Sequence, residues 1–159
     1  MIEKEVNKFK LIKNGNMFLT TMKVVTIPVN LEGVMNDGLA LATKRLYQDI
    51  YLEYKTVCDK GYLNRGTPYL YRYSGFRWFL LFPTKRQQDQ LSNIDDIRDG
   101  LQWIIENQKN LFMSQIALPA LGCGLGGLNW EDVKPIIIEG LSQFEGQIEI
   151  YEPGRFNGR

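Results

Sequence analysis

Between Leu118 and Trp130 the chain reads Leu-Pro-Ala-Leu-Gly-Cys-Gly-Leu-Gly-Gly-Leu-Asn-Trp, so an apolar, strand-like run empties into four glycines within six positions. Gly122, Gly124, Gly126 and Gly127 carry no Cβ, which lets the main chain turn to positive φ and bring its N–H groups close to an anion. Asn129 is placed to cap a following helix, whose N-terminal partial charge would act on the same anion. A solvated surface turn is the plain alternative. Such a turn rarely sets Leu121, Leu125 and Leu128 between its glycines, so a phosphate or diphosphate site is the expectation.

At 159 residues the chain fits one domain large enough to bury a core without staples. Neither end shows the long apolar run of a signal peptide or membrane span, and an intracellular, cytoplasmic protein is expected. Nineteen basic against eighteen acidic side chains leave a formal charge of +1, too little to drive non-specific binding to nucleic acid. The chain has no histidine. Serine-histidine and cysteine-histidine nucleophiles, histidine bases and most transition-metal sites are thereby removed, and neither a metal nor a cofactor is expected. Cys58 and Cys123 form no C-x-x-C pair. Within the glycine loop Cys123 reads as a packing residue, since no base is at hand to make its thiolate.

Strand-like and helix-like patterns alternate, which predicts an α/β layered fold. Strands are expected at Phe9 to Lys13, Lys23 to Val29, Thr67 to Tyr73, Arg77 to Phe82, Gln115 to Leu118 and Gln147 to Tyr151, the third and fourth paired about Ser74-Gly75. Pro28 falls near a strand end, where a missing N–H does least harm. One helix is predicted from Gly38 to Lys60-Gly61, with Leu39, Ala42, Leu46, Ile50, Tyr54 and Val57 along its apolar stripe. Ser92 and Asp95 resemble a capping box for a second helix, on which Ile97, Leu101, Ile104 and Ile105 share a face. Trp130 to Phe144 is helical in period, but Pro135 predicts a short turn first and the main helix from Pro135 on. A polar tail from Gly154 to Arg159 is expected to fray.

A second glycine-bearing loop, Asn30-Leu-Glu-Gly-Val-Met-Asn-Asp-Gly38, follows the second strand. Two such loops suit a long ligand with separated polar ends, held at the carboxyl ends of strands. Neither matches G-x-x-x-x-G-K-[ST], which disfavours a P-loop nucleotidase. No G-x-G-x-x-G opens a βαβ unit at the first strand, which weakens a dinucleotide-binding reading.

Taken in order, Asn14-Gly-Asn-Met-Phe18, the Asn30 to Gly38 loop, Phe82-Pro-Thr-Lys-Arg86 and the glycine loop resemble the motifs of the macrodomain, an ADP-ribose-binding module. The resemblance runs over nearly the whole chain and implies a single three-layer α/β/α domain with a mixed, mostly parallel central sheet. The chain is most similar to the branch that includes ADP-ribosyl-DNA glycohydrolase antitoxins and terminal ADP-ribose protein glycohydrolases. The activity implied is removal of one ADP-ribose from a nucleobase or a protein side chain. An ADP-ribose 1″-phosphate phosphatase and a non-catalytic reader of ADP-ribose are the alternatives.

Carried over residue by residue, the resemblance puts Lys85 at the anomeric carbon of the distal ribose, with Arg86 as a cationic neighbour. It sets Asn30, Gly33, Val34, Met35 and Gly38 around that ribose, with Thr84 beside them. Asn16 and the Met17 backbone would meet the adenine, and Tyr151 is a further ligand-binding candidate. Gly122, Cys123, Gly124, Leu125, Gly126 and Gly127 would hold the diphosphate. The protein-directed enzymes carry an Asp where this chain has Gly126, so their two-residue mechanism is not expected. Asp37 replaces a lysine of the antitoxins. Its carboxylate could act as a general base, repel a phosphorylated substrate, or point outward.

The residues Tyr62, Arg65, Tyr69, Tyr71, Arg72, Tyr73, Phe76, Arg77 and Trp78 form the one candidate surface for single-stranded nucleic acid. Alternation in a hairpin sends about half of them inward, so plain packing is the stronger reading. The partner expected is ADP-ribose or an ADP-ribosylated substrate, and the chain is expected to be a monomer.

Overall fold

In the computed structural model, which describes residues 8–154, four parallel strands form the centre of one six-stranded sheet. The strands are β1 (Phe9–Ile12), β2 (Val24–Val29), β3 (Tyr69–Tyr71), β4 (Trp78–Pro83), β5 (Gln115–Pro119) and β6 (Gln147–Tyr151), in the order β1-β6-β5-β2-β4-β3. Only β3 runs antiparallel, on β4. The expected tail falls largely on residues 155–159, outside the described residues.

The helices are α1 (Gly38–Leu46), α2 (Gln48–Asp59), α3 (Ile94–Asn107) and α4 (Trp130–Gly140). β4 is buried at all six positions, as a strand covered on both faces must be. On one face Leu80, Phe82, Ile116 and Leu118 pack against Ile97, Leu101 and Ile104 of α3 and Val133 and Ile137 of α4. On the other, Val25, Ile27, Val29, Phe79 and Leu81 meet Ile50, Tyr54 and Val57 of α2. The α/β/α layering and the mixed, mostly parallel sheet are as expected.

Three local expectations are corrected. The helix predicted from Gly38 to Lys60 is two helices, broken at Tyr47, whose φ of −138° and ψ of 80° are not helical. The break turns the Tyr47 ring inward to Phe79 and Tyr73, with centroids 5.0 and 5.3 Å away, and it leaves Leu46 of the predicted stripe 60% exposed. Asn93, not Ser92, caps α3: its Oδ1 accepts from the N–H groups of Asp95 and Asp96 at 2.9 and 3.2 Å. Ser92 is buried, with its own N–H donated to the Gly126 carbonyl at 2.9 Å. Finally, α4 runs from Trp130 straight through Pro135. Pro135 lies on the exposed side, where water can take the carbonyl that the missing N–H leaves free.

Candidate functional site

β2, β4, β5 and β6 run in one direction, so the segments that follow them gather at one edge of the sheet. That edge carries Asn30 after β2, Lys85 after β4, the glycine loop after β5, and Tyr151 at the end of β6. A cleft opens there between β2 and β5, which pair only at Val24 with Ile116 and Val25 with Ala117. Open α/β sheets take ligands in such a crevice.

The glycine loop is closed by hydrogen bonds from Leu128 to Gly122 at 2.9 Å and from Gly127 to Gly124 at 3.1 Å. Gly122 and Gly127 have φ of +74° and +81°, a region costly for side chains. Gly126 needs glycine for room instead, since a Cβ there would lie 2.1 Å from Ser92 Oγ and 2.6 Å from the Gly122 carbonyl oxygen. Gly124 differs again: a Cβ would meet nothing within 4 Å. Among the described residues, the N–H groups of Gly122, Gly124, Leu125 and Gly126 donate to no protein acceptor. Amides turned outward in this way are the donors of an anion-binding nest. Asn129 stands at the N-cap of α4 as expected, though its side chain makes no capping bond.

Across the cleft, Asn30 is 3% exposed and builds its own loop. Its Oδ1 accepts from the Glu32 N–H at 2.9 Å and faces the Tyr54 hydroxyl at 2.7 Å. Its Nδ2 donates to the Val34 carbonyl at 2.8 Å and to Gln88 Oε1 at 2.6 Å. Burial pushes the Tyr54 hydroxyl to a higher pKa, so it stays a neutral donor here. Met35 is fully buried, and its side chain anchors the loop in the core. Gly33 and Gly38 take φ of +80° and +55° and allow the loop its turns.

Gln88 is the residue sequence reasoning missed. Besides its bond from Asn30, its side-chain Nε2 donates to Asp37 Oδ2. Its main-chain N–H donates to Glu32 Oε1 at 2.6 Å, and its carbonyl accepts from Lys85 Nζ at 3.0 Å. Lys85, Asp37 and Asn30 are thus gathered on one glutamine, with Asp37 itself exposed. An amide in a polar turn carries no pattern that marks it. Thr84 is held by its backbone, donating to Val29 and accepting from Asn93 at 3.0 and 3.1 Å.

Arg86, the cationic neighbour expected beside Lys85, is itself paired. Its guanidinium pairs with Asp96 at 3.3 Å, and Arg65 joins the same carboxylate at 3.5 Å. Asp96 is 1% exposed, so the pair fixes the Lys85 segment onto the first turn of α3. A cavity of about 240 Å³ beside it is lined by Arg86, Gln90, Leu91 and Asn93.

At the far end of the cleft Asn16 Oδ1 accepts from the Phe18 N–H at 3.0 Å, and Met17 is buried. Tyr151 lies against them: a Cβ on Gly15 would come within 3.0 Å of its ring. The Tyr151 hydroxyl donates to the buried Glu149 at 3.0 Å.

Burial, with Asp132 adding a like-charge contribution, pushes the Cys123 thiol up to about 11; burial likewise raises Cys58. The raised value favours the folded state below the ordinary thiol pKa, a contribution lost as pH climbs toward 11. At pH 8 the folded chain is expected to resist iodoacetamide at both cysteines while guanidinium-unfolded chain takes two equivalents. Rapid labelling of folded Cys123 would contradict the packing role.

Plain packing, the stronger expectation for the aromatic and basic cluster, describes much of it. Its turn precedes β4, at the edge of the sheet opposite Lys85. Arg77 donates to the carbonyls of Thr20 and Met22 at 2.6 and 3.1 Å, Tyr69 donates to Glu53 at 2.6 Å, and Arg72 stacks over Trp78. Phe76 stays bare at 90% exposed, and Tyr62 and Tyr73 are exposed as well.

The family model of the Macro domain matches residues 27–137. This chain belongs to the macrodomain family. The macrodomain is 40% identical to a DNA ADP-ribosyl transferase-DNA ADP-ribosyl glycohydrolase fusion protein of Thermosipho africanus and 34% identical to a DNA ADP-ribosyl glycohydrolase of Thermus aquaticus, with 87% of this chain matched in each case. It spans about 40% of the length of these curated relatives. Its fold superposes with a TM-score of 0.87 on Thermosipho africanus DarTG in complex with ADP-ribose, at 41% identity over 91% of this chain and 42% of that one. The Thermus aquaticus DarG macrodomain superposes at 0.85, with 34% identity, over 91% of this chain and 98% of that one. Among the described residues, no helix is long and apolar enough to cross a membrane.

Proposed function

We propose that this macrodomain binds ADP-ribose and hydrolyses its bond to a modified DNA base. One observation carries the reading: a loop of unpartnered amides and the group formed by Lys85, Asp37 and Asn30 stand on opposite sides of one cleft. Gly122 to Gly127 hold the diphosphate, Asn16, Met17 and Tyr151 receive the adenine, and the Asn30 to Gly38 loop encloses the distal ribose. Hydrolysis adds water across the bond from the anomeric carbon to the base: the oxygen goes to carbon, and the base leaves with the bonding pair and gains a proton. Lys85 acts at that carbon and Asp37 is the available base for water. DNA is favoured as the target by the relatives named for it, and by the lack of room at Gly126 for the carboxylate that the resemblance assigns to protein-directed enzymes.

Calorimetry is expected to give micromolar binding of ADP-ribose, roughly −8 kcal/mol, with AMP far weaker. Equal binding of the two would mean that the distal-ribose loop is misassigned. Incubation with ADP-ribosylated single-stranded DNA should release free ADP-ribose, and modified protein should release little. Binding without release from either would make the chain a reader of ADP-ribose.

A further inference from the structure

The donors and acceptors assigned to the distal ribose are already engaged within the protein. Both hydrogens on Asn30 Nδ2 are used, one by the Val34 carbonyl and one by Gln88 Oε1. The Val34 bond is internal to the loop and keeps its shape. The Gln88 bond is made to a side chain on a separate, half-exposed turn, and the same carboxamide donates to Asp37. A carboxamide, with an acceptor and a donor side by side, makes the two kinds of bond that a pair of sugar hydroxyls makes.

We propose that Gln88 is a specificity-determining residue: its carboxamide holds the place of the distal ribose, and only a ligand whose hydroxyls replace both its bonds is admitted to Lys85. This rests on the reading of the cleft as an ADP-ribose site. A nucleotide without the distal ribose binds at the diphosphate and adenine ends and leaves Gln88 seated. Full ADP-ribose exchanges the two carboxamide bonds for its own, so part of its binding energy goes into displacing the side chain. The Gln88 main chain does not take part in the exchange. Its carbonyl accepts from Lys85 and its N–H donates to Glu32, so the turn keeps its place when the side chain leaves.

The test is calorimetry of wild type and Gln88→Ala with ADP-ribose and AMP. With no competing carboxamide, Gln88→Ala is expected to bind ADP-ribose about tenfold more tightly, the scale of one to two net hydrogen bonds, with AMP unchanged. In the wild-type chain the Gln88 side-chain amide resonances, assigned through its backbone, should move on adding ADP-ribose and stay in place on adding AMP. This second measurement decides the matter even if Gln88→Ala folds poorly. Unchanged or weaker ADP-ribose binding by a folded Gln88→Ala, or amide resonances indifferent to ADP-ribose, overturns the role of Gln88 and leaves the site reading standing. A wild-type chain that binds no ADP-ribose overturns the site reading itself.

Discussion

Lys85→Ala is expected to lower release of ADP-ribose from modified single-stranded DNA by at least about a hundredfold, the scale of removing one positioned catalytic group. ADP-ribose affinity should fall far less, because the amine adds one contact to a ligand held mainly by the glycine loop. The fold should be intact: Lys85 makes one hydrogen bond, to Gln88, and the ion pair that anchors its segment belongs to Arg86 and Asp96. Asp37→Ala is the comparison. Since Asp37 meets the same glutamine, loss of activity in both variants would describe an acid-base pair. Loss in Asp37→Ala alone would move the chemistry to the Asn30 loop and refute the role of Lys85. Normal turnover by both would leave no enzyme to explain.

Gly124→Val is expected to weaken ADP-ribose binding by more than about a hundredfold while the melting temperature hardly changes. The reasoning is steric. A Cβ at Gly124 meets no protein atom within 4 Å, so the folded chain accommodates it, but that open space lies over the amides assigned to the diphosphate. Gly126→Ala makes the contrast. Its Cβ would strike Ser92 Oγ at 2.1 Å, and overpacking of this kind typically costs about 1–3 kcal/mol of stability. Calorimetry with thermal unfolding separates the two. If Gly124→Val binds as well as wild type, the diphosphate does not sit on this loop.

Features written in short stretches of sequence were legible, and those decided by distant neighbours were not. β6 has the predicted bounds because Gln147 to Tyr151 alternates cleanly. The glycine loop was visible for a similar reason, its strand and its glycines being contiguous. Tyr47 continues a helical spacing in the sequence, and only the rings of Phe79 and Tyr73 show why the helix stops there. Ser92 and Asn93 are both able caps, and the choice is made by a bond to Gly126 in another loop. Gln88 was invisible because its importance lies in four partners, three of them in the distant Asn30 to Gly38 loop. The hairpin aromatics were readable as packing or as recognition, and Arg77 and Tyr69 settle most of them as packing.

The split between β2 and β5 has a chemical origin in two prolines, Pro119 of β5 and Pro28 of β2. The carbonyls of Lys23 and Val29 accept from Trp78 and Thr84 on the β4 side, and the Ser114 carbonyl accepts from Gln147 on the β6 side, so by alternation Pro28 and Pro119 face each other's strands beyond the last pair, Val25 with Ala117. Neither proline has a hydrogen to offer there, so the next two bonds of the ladder are missing and further pairing is disfavoured. The space between them is built into the covalent chain, so an incoming ligand has no β ladder to break and works only against the Gln88 side chain at the rim.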